Sequence, residues 1–292
     1  ESTFMRQIQT IGIIGGNGDM GHWFKEFFTR SIDCRVLVSD LDTLLENEDL
    51  ARSSDLVLLS TPVEAAAAVA EQIGPILEED QLLMDLCSQK ELIVEKMVFS
   101  TRCEVVGMHP MFGPFTESLE SQNIVLSPGR GEEGIGWAER LFLNGGANVT
   151  RMDASLHDRH MAVVQGLTHF LSVCFARTLQ KMDLHPTLMF GTSTPIFRIN
   201  SDIIGRLFAQ DSELYASLIH DNRYVPDVLD AFYDSMKETS SSLIQESAEK
   251  GSDYISRVGD FIGEYKEEAM ERSNRFLNII FETKEDGNAS DV

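Results

Sequence analysis

The first half of the chain alternates short apolar runs with stretches of helical periodicity. Apolar runs of strand length lie at residues 11–14, 35–38, 56–59, 81–85 and 105–108, with a further candidate at residues 123–126. Between them, apolar positions recur with helical spacing, for example over residues 20–29 and in the alanine-rich residues 63–73. Short strands without a polar face are typical of a parallel sheet covered by helices on both sides. The pattern therefore predicts an α/β fold with a doubly wound, mainly parallel sheet.

The second half of the chain has no convincing strand pattern. Helical periodicity covers residues 155–182, 186–209, 212–220, 225–248 and 253–281, and prolines interrupt it at Pro186, Pro195 and Pro226. Such a change of pattern marks a domain boundary, here near residue 150. We therefore predict an α/β domain over residues 1–150, an all-helical C-terminal domain over residues 151–283, and a polar, flexible tail over residues 284–292.

The formal net charge of −23 limits the partners of the chain. Nucleic acids and anionic membranes attract basic surfaces, so we expect neither as a partner. We expect no apolar run of transmembrane length, and residues 1–10 lack the pattern of a signal peptide. In so acidic a protein, an anionic ligand needs a local cluster of arginine or lysine side chains.

The cysteines indicate a reducing compartment. They are widely spaced and contain no C-x-x-C pair: Cys34, Cys87, Cys103 and Cys174. Most lie in apolar segments, where buried thiols rather than disulfides are expected. A cytoplasmic location fits this pattern.

A glycine-rich turn follows the first predicted strand. It matches G-x-G-x-x-G over Gly16, Asn17, Gly18, Asp19, Met20 and Gly21, and an amphipathic helix comes next. In a dinucleotide site, the first glycine allows the tight turn, the second lets the pyrophosphate approach the backbone, and the third lets helix and strand pack closely. The start of the helix offers N–H groups to the pyrophosphate. This context predicts a Rossmann-type domain, although the glycines alone would also suit a structural turn.

Residues after the second and third strands are candidates for contacts with the rest of the dinucleotide. Asp40 follows the second strand, where such folds place an acid on the ribose hydroxyls, although the nearby Asp42 competes for this role. Because a carboxylate repels a 2′-phosphate, Asp40 favours NAD over NADP. Thr61 and Pro62 follow the third strand at the edge of the sheet that binds ligands; contact with the nicotinamide half and a plain turn are both open.

His109 is the main candidate for chemistry. It follows the fifth predicted strand and begins the segment His-Pro-Met-Phe-Gly-Pro, whose prolines stiffen the loop. A neutral imidazole at the ligand edge of the sheet can act as a base toward a hydroxyl near pH 7. The alternative is a loop histidine that only bonds to the backbone.

These segments, in this order, resemble the prephenate dehydrogenases, above all the dehydrogenase part of the bifunctional chorismate mutase–prephenate dehydrogenases. The resemblance extends from about residue 10 to residue 220. Its segments are the cofactor loop at residues 15–21, Asp-Leu-Cys-Ser-Gln-Lys at residues 85–90, the histidine loop at residues 109–114, Gln-Gly-Leu-Thr-His-Phe at residues 165–170, and the helical segments at residues 193–198 and 205–211.

The resemblance implies a reaction and roles for three residues. Prephenate loses a hydride from C4 to the nicotinamide of NAD and its ring carboxylate as CO2, which gives 4-hydroxyphenylpyruvate, a step of tyrosine biosynthesis. His109 would accept the proton of the C4 hydroxyl. Ser88 matches the family serine that supports this hydroxyl and the nicotinamide end, and Lys90 would be a supporting cation at the site.

The resemblance also places substrate-binding residues in the helical domain. Arg206 would pair with a substrate carboxylate, for which a planar guanidinium is well shaped. Arg198, two helical turns earlier, could point the same way. Gln165 and His169 lie four residues apart on an apolar helix and suggest a substrate cleft. The alternatives are surface ion pairs for the arginines and a core position for His169.

His157 and His160 flank Asp158 at the start of a predicted helix. A metal site would need further ligands, so we predict no metal and interpret these residues as an exposed helix start. The resemblance implies a homodimer built through the helical domain, although monomeric helix packing would give similar apolar faces.

Three other functions remain open from sequence alone. Arogenate dehydrogenase and 4-amino-4-deoxyprephenate dehydrogenase would share the nucleotide loop and could share His109. A non-catalytic NAD-binding sensor would keep the fold, but it would need none of the proton-transfer residues. The joint presence of His109, Ser88, Lys90 and Arg206 favours an enzyme, and the resemblance favours prephenate as its substrate.

Overall fold

The structure, a computed structural model, describes residues 7–282, and the side chains of residues 7–278. The chain divides into two compact units, which we describe separately. The nucleotide unit contains the chain up to Gly166 together with Ser217–Tyr224, and the helical unit contains Leu167–Ala216 and the residues from Val225 on. The tail predicted at residues 284–292 lies outside the described residues.

Among the described residues, seven strands form one sheet in the order β2-β1-β3-β4-β5-β6-β7. The first five strands are parallel, β6 runs antiparallel to β5, and β7 is parallel to β6. The predicted mainly parallel, doubly wound sheet is thus confirmed. The strands are β1 (Thr10–Ile14), β2 (Arg35–Ser39), β3 (Leu56–Leu59), β4 (Leu82–Asp85), β5 (Glu104–Pro110), β6 (Asn123–Arg130) and β7 (Asn148–Arg151).

Helices cover both faces of this sheet. They are α1 (Asp19–Ser31), α2 (Asn47–Arg52), α3 (Val63–Ile73), α4 (Glu91–Ser100), α5 (Glu133–Asn144) and α6 (Ala154–Met161). Successive strand residues point to opposite faces, so Leu58 joins an apolar cluster with Phe24 of α1, whereas Leu59 joins a second cluster with Met97 of α4. Burying each such side chain contributes about 1.5–3 kcal/mol. The two clusters fix the sheet in place and leave the carboxyl ends of its parallel strands for the site.

The strand β7 and the helices α2, α4 and α5 of the nucleotide unit were not individually predicted, and the reason is clear for β7 and α2. The strand β7 lies at the sheet edge, where only Val149 is even partly buried, so it lacks the apolar run that identified the other strands. The helix α2 has six residues, of which Leu50 and Ala51 are buried, and this is too short for a periodic pattern.

The helical unit contains no strand among its described residues, as predicted. Its α-helices are α7 (Thr168–Lys181), α8 (Pro195–Phe208), α9 (Ser212–His220, which ends in the nucleotide unit), α10 (Val225–Ser240), α11 (Ala248–Ile262) and α12 (Tyr265–Glu282). The helix predicted over residues 186–209 is instead a 3-10 segment, Pro186–Thr192, followed by α8, because Thr194 caps a new start. The helix predicted over residues 253–281 is divided by Gly263, whose φ of 63° ends α11.

The helical stretch Ala154–Lys181 is 28 residues long and, by length and composition alone, apolar enough to cross a membrane. The expectation that no run reaches this length was therefore wrong. Its window is only 11% buried. Its first turns nevertheless carry His157 and Asp158, which are buried within the nucleotide unit.

Candidate active site

His109 lies at the carboxyl end of β5, one residue before the strand ends at Pro110. Pairing of β5 with the antiparallel β6 sets His109 opposite Val125. Its side chain is almost fully enclosed, because the residue is only 3% exposed. A histidine so deeply buried needs hydrogen-bond partners for its ring nitrogens.

Both ring nitrogens of His109 face polar groups of the nucleotide unit. Nδ1 lies 2.9 Å from Nε2 of His157, and Nδ1 of His157 lies 2.7 Å from Oδ1 of Asp158. On the other side of the ring, Nε2 of His109 lies 3.5 Å from Nε2 of Gln165. The three residues His109, His157 and Asp158, hereafter the relay, thus form a continuous chain of hydrogen bonds.

Asp158 also holds the start of α4. Its Oδ1 accepts the backbone N–H of Lys90 at 2.7 Å, and its Oδ2 accepts that of Glu91 at 2.9 Å. A carboxylate at a helix N-terminus satisfies free amides and meets the positive end of the helix dipole. The backbone carbonyl of Asp158 accepts a hydrogen bond of 2.7 Å from Nδ2 of Asn222. The end of the relay is therefore fixed from two directions.

Lys90 is fully buried and belongs to the framework beneath His109. Its ammonium group donates to the carboxylate of Asp85 and, at 2.8 Å, to the backbone carbonyl of Met108. It thereby joins the ends of β4 and β5. Lys90 has no exposed surface, and its positive charge is one cause of the lowered pKa of His109. Its role as a supporting cation of the site stays a prediction.

Burial is the main cause of the altered basicity of His109. Loss of water lowers the pKa of His109 well below its ordinary value, and the neighbouring His157 and Lys90 lower it further. His109 is consequently a neutral imidazole at neutral pH, the form that can accept a proton.

Ser88 and Gln165 are two further predicted site residues on the nucleotide unit. Ser88 is half-buried in the loop that joins β4 to α4. Gln165 is half-buried in a π-helical segment, Ala162–Leu167, where the wider turn changes the i, i+4 spacing assumed from the sequence. Such widened turns often occur at functional sites.

The glycine loop has the form that a dinucleotide requires. Gly15 has a φ of 79°, and a Cβ there would lie 2.4 Å from the carbonyl oxygen of Ser60. A Cβ on Gly21 would lie 2.4 Å from the carbonyl oxygen of Gly15, whereas one on Gly18 would meet only that oxygen, at 3.4 Å. The loop therefore has no room for a side chain at Gly15 or Gly21, where backbone segments lie against each other. It is open at Gly18, in front of α1. Gly16 is buried, Asp19 is exposed in the first turn of α1, and Met20 packs on the apolar core.

Polar groups beside the loop suit a ribose and a nicotinamide. Asp40 follows β2, and its Oδ2 accepts the backbone N–H of Asn17 at 2.9 Å, while Nδ2 of Asn17 donates to Asp42 at 2.7 Å. Thr61 lies after β3, and within the described part of the chain its buried hydroxyl has no hydrogen-bond partner. Pro62 is the N-cap of α3. The carboxylates suit the hydroxyl groups of a ribose, and the hydroxyl of Thr61 suits the polar amide of a nicotinamide.

The remaining predicted substrate residues belong to the helical unit. Arg198 and Arg206 both lie on α8, as the spacing required. Arg206 is exposed, whereas the guanidinium of Arg198 lies 4.1 Å from the centre of the Phe190 ring. His169 is half-buried with its ring against Tyr215 at 4.7 Å, and partial burial lowers its pKa.

The interpretation of His157 and Asp158 as an exposed helix start was wrong. His157 is fully buried and Asp158 is 6% exposed, whereas His160 on the same helix is exposed as expected. Residues 157–160 are all polar or charged, which is typical of a solvated helix face. Only the spacing of His157 and Met161 on one side of α6, both buried, could have indicated an inward histidine. In the described residues, no group of three His, Cys, Asp or Glu side chains could hold a metal ion.

Two family models match consecutive parts of the chain. Residues 37–151 match "Prephenate dehydrogenase, nucleotide-binding domain", and residues 153–256 match "Prephenate dehydrogenase, dimerization domain". The first match confirms the predicted nucleotide-binding role of the α/β part.

Full-length relatives and a solved structure agree with these matches. A T-protein of Haemophilus influenzae is 29% identical over 283 residues, 97% of this chain and 75% of that protein. A T-protein of Enterobacter agglomerans is 30% identical over 275 residues, 94% of this chain and 73% of that protein.

The fold is shared with a prephenate dehydrogenase of Aquifex aeolicus whose structure contains hydroxyphenyl propionate and NAD+. Its TM-score is 0.71 at 21% identity, and the alignment covers 91% of this chain and 98% of that one. The two family models and the T-protein of Enterobacter agglomerans show that the chain belongs to the prephenate dehydrogenase family.

Proposed function

We propose that the chain catalyses the NAD-dependent oxidative decarboxylation of prephenate to 4-hydroxyphenylpyruvate. The observation that carries the proposal is the enclosed His109 at the end of β5, a neutral imidazole with Nδ1 bonded to His157. Its Nε2 is the nitrogen left for a substrate hydroxyl. A base for a hydroxyl proton is the central requirement of this oxidation.

The proposed chemistry begins with the C4 hydroxyl of the substrate. His109 accepts the hydroxyl proton while the hydride on C4 passes to the nicotinamide of bound NAD. The ring carboxylate then leaves as CO2, and its electron pair makes the ring aromatic and returns negative charge to the C4 oxygen. His109 gives its proton back to this oxygen, so the imidazole ends as it began.

Residues of the nucleotide unit support NAD as the cofactor. The open face at Gly18 and the first turn of α1 suit a pyrophosphate. Asp40 and Asp42 both bond to Asn17, so two carboxylates lie where a 2′-phosphate would meet repulsion. The NAD+ in the Aquifex structure supports the same choice.

The helical unit supplies the proposed anchors of the substrate. The exposed guanidinium of Arg206 pairs with a substrate carboxylate, which a protein of net charge −23 would otherwise repel. Arg198 and His169 are further substrate residues, and Gln165 and Ser88 help to orient the hydroxyl group. These roles come from the family resemblance together with the positions described above.

One assay separates the family's substrates. Prephenate, arogenate and 4-amino-4-deoxyprephenate are supplied separately with NAD or NADP, and the absorbance of the reduced nicotinamide is followed. We expect turnover with prephenate and NAD. Preference for either amino compound would replace the proposed substrate, and no turnover of any would contradict the enzymatic function.

Substitutions test the roles of His109 and Arg206. We expect His109→Asn to bind substrate but to lose most of its kcat, and Arg206→Ala mainly to raise KM. His160→Asn, which changes an exposed histidine, is the control and keeps full activity. The reverse pattern of kcat and KM effects would show that the two roles are exchanged.

We further propose a homodimer assembled through the helical unit, in a protein of the cytoplasm. The matched dimerization domain covers most of this unit. Apolar side chains are exposed along α7 and α8, including Leu171, Val173, Phe175 and Ile203. Light scattering after size-exclusion chromatography tests the proposal, because a monomer at micromolar concentration would contradict it.

A further inference from the structure

We propose that His157 and Asp158 are positioning residues that hold His109 in one tautomer, with its proton on Nδ1 and its lone pair on Nε2, toward Gln165. This inference rests on the proposed role of His109 as the base. The sequence resemblance assigned no role to either residue. The argument follows the protons along the relay from its acidic end.

The acidic end of the relay can only accept hydrogen bonds. The two oxygens of Asp158 each receive a backbone N–H, from Lys90 at 2.7 Å and from Glu91 at 2.9 Å. A backbone N–H can only donate a hydrogen bond, so both oxygens of Asp158 are acceptors in these contacts. The Nδ1 of His157, 2.7 Å from Oδ1, must therefore carry the proton of that contact.

The direction of this bond determines the next one. A neutral His157 with its proton on Nδ1 has its lone pair on Nε2. The Nδ1 of His109 lies 2.9 Å from that lone pair and must donate to it. A neutral His109 with its proton on Nδ1 has its own lone pair on Nε2, which is the nitrogen that faces Gln165. The opposite tautomer would put two lone pairs against each other in a buried site.

The relay also matters once His109 has taken a proton. Burial and the nearby ammonium of Lys90 both oppose a positive charge on this ring. The Nδ1–H of His109 still donates to His157, whose other nitrogen bonds to the anionic Asp158. The charged and titratable groups around the ring are His157 and Asp158 of α6, Lys90 before α4, and Asp85 of β4, which neutralises Lys90. The relay thus places the net negative charge opposite the base.

The tautomer can be observed without any substrate. Long-range proton–nitrogen correlation spectra of protein labelled with 15N-histidine distinguish the two neutral tautomers and the protonated ring. His109→Asn and His157→Asn spectra assign the signals. We expect His109 and His157 both to carry their proton on Nδ1 at pH 7. A proton on Nε2 of His109, or a doubly protonated ring in either residue, would overturn the inference.

A pair of substitutions tests the positioning role during turnover. The amide of Gln at position 157 can place an acceptor where Nε2 of His157 lies, whereas the shorter Asn reaches only the place of Nδ1. We expect His157→Asn to lower kcat by about 10- to 100-fold with little change in KM, the size of one lost hydrogen bond to a charged group. His157→Gln should recover most of the kcat, and His160→Asn on the same helix should keep it.

The two arms separate this inference from the proposed function. Thermal unfolding followed by circular dichroism shows whether each variant is folded. Equal losses of kcat in folded His157→Gln and His157→Asn, or a loss confined to KM, would show a merely structural role for His157. If the unmodified protein turned over none of the three substrates, the proposed function would fail, yet the spectra would still confirm or overturn the tautomer.

Discussion

The buried pair of Lys90 and Asp85 gives the most demanding test of the reasoning about stability. Both side chains have no exposed surface. Replacing Lys90 by Met keeps an unbranched side chain, one atom shorter, but removes the cation, so Asp85 retains only the backbone N–H groups of Cys87 at 2.8 Å and Met108 at 3.4 Å. Removal of one partner from a buried pair typically destabilises a protein by about 3–5 kcal/mol.

The expected loss is large enough to measure by thermal unfolding. At about 2–4 °C for each kcal/mol in a unit of this size, Lys90→Met should lower the melting temperature by roughly 6–20 °C. The double variant Lys90→Met, Asp85→Asn removes both charges of this pair, and its amide oxygen can still accept the N–H of Cys87. We expect it to recover most of the loss.

A matched control comes from an exposed ion pair of the same unit. Lys96 bonds to Glu71 at 2.6 Å, with both side chains largely in solvent. Lys96→Met should leave the melting temperature unchanged within error, because exposed pairs are screened by water. A Lys90→Met protein as stable as the unmodified one, or a double variant no more stable than the single, would refute the reasoning.

Three further predictions follow from the site. The acid limb of the kcat/KM profile for prephenate should have its midpoint below pH 6.5, the ordinary pKa of histidine. Burial lowers the pKa of His109, so the base stays neutral as the pH falls. A midpoint above pH 6.5 would contradict the burial argument. Asp40→Ser should raise the kcat/KM ratio of NADP to NAD on the order of tenfold, or about 1.4 kcal/mol of relieved repulsion, and an unchanged ratio would remove Asp40 from the ribose site. Gly21→Ala should raise the KM for NAD, since its Cβ would lie 2.4 Å from the carbonyl oxygen of Gly15, whereas Gly259→Ala, with nothing within 4 Å, should keep that KM.

The fold was predictable where burial leaves a continuous apolar run. The strands β1, β3 and β4 are buried along almost their whole length, so their sequences carry no polar face. The edge strand β7 is exposed to solvent at nearly every position, so it has no apolar run from which it could be predicted. The division of the last predicted helix at Gly263 depends on a backbone conformation that a single glycine only permits, without requiring it.

The candidate site was predictable only as far as strand ends and motifs reveal it. His109 lies at the carboxyl end of β5 and Asp40 follows β2, and parallel topology brings such strand ends to one edge of the sheet. His157 could not be found in this way, because it lies on α6 and its contact with His109 joins residues that are 48 positions apart in the chain. Asp158 likewise reads as a surface acid until its contact with Lys90, 68 positions away, is known. The four-residue spacing of His157 and Met161 is the only local trace that these tertiary contacts leave in the sequence of α6.

The partners of His109 have a consequence for recombining this chain with its relatives. The two family models meet at residues 151 and 153, which makes that border an obvious crossover for chimeras. Yet His157, Asp158 and Asn222, which support the imidazole, are all encoded after it, and Asn222 arrives on a separate excursion of the chain, Ser217–Tyr224. A crossover at residue 152 would combine His109 from one parent with His157 and Asp158, its proposed positioning residues, from the other. His109 and the residues that support it are therefore separated in the sequence, although their atoms are neighbours, and they must come from the same parent to keep these contacts.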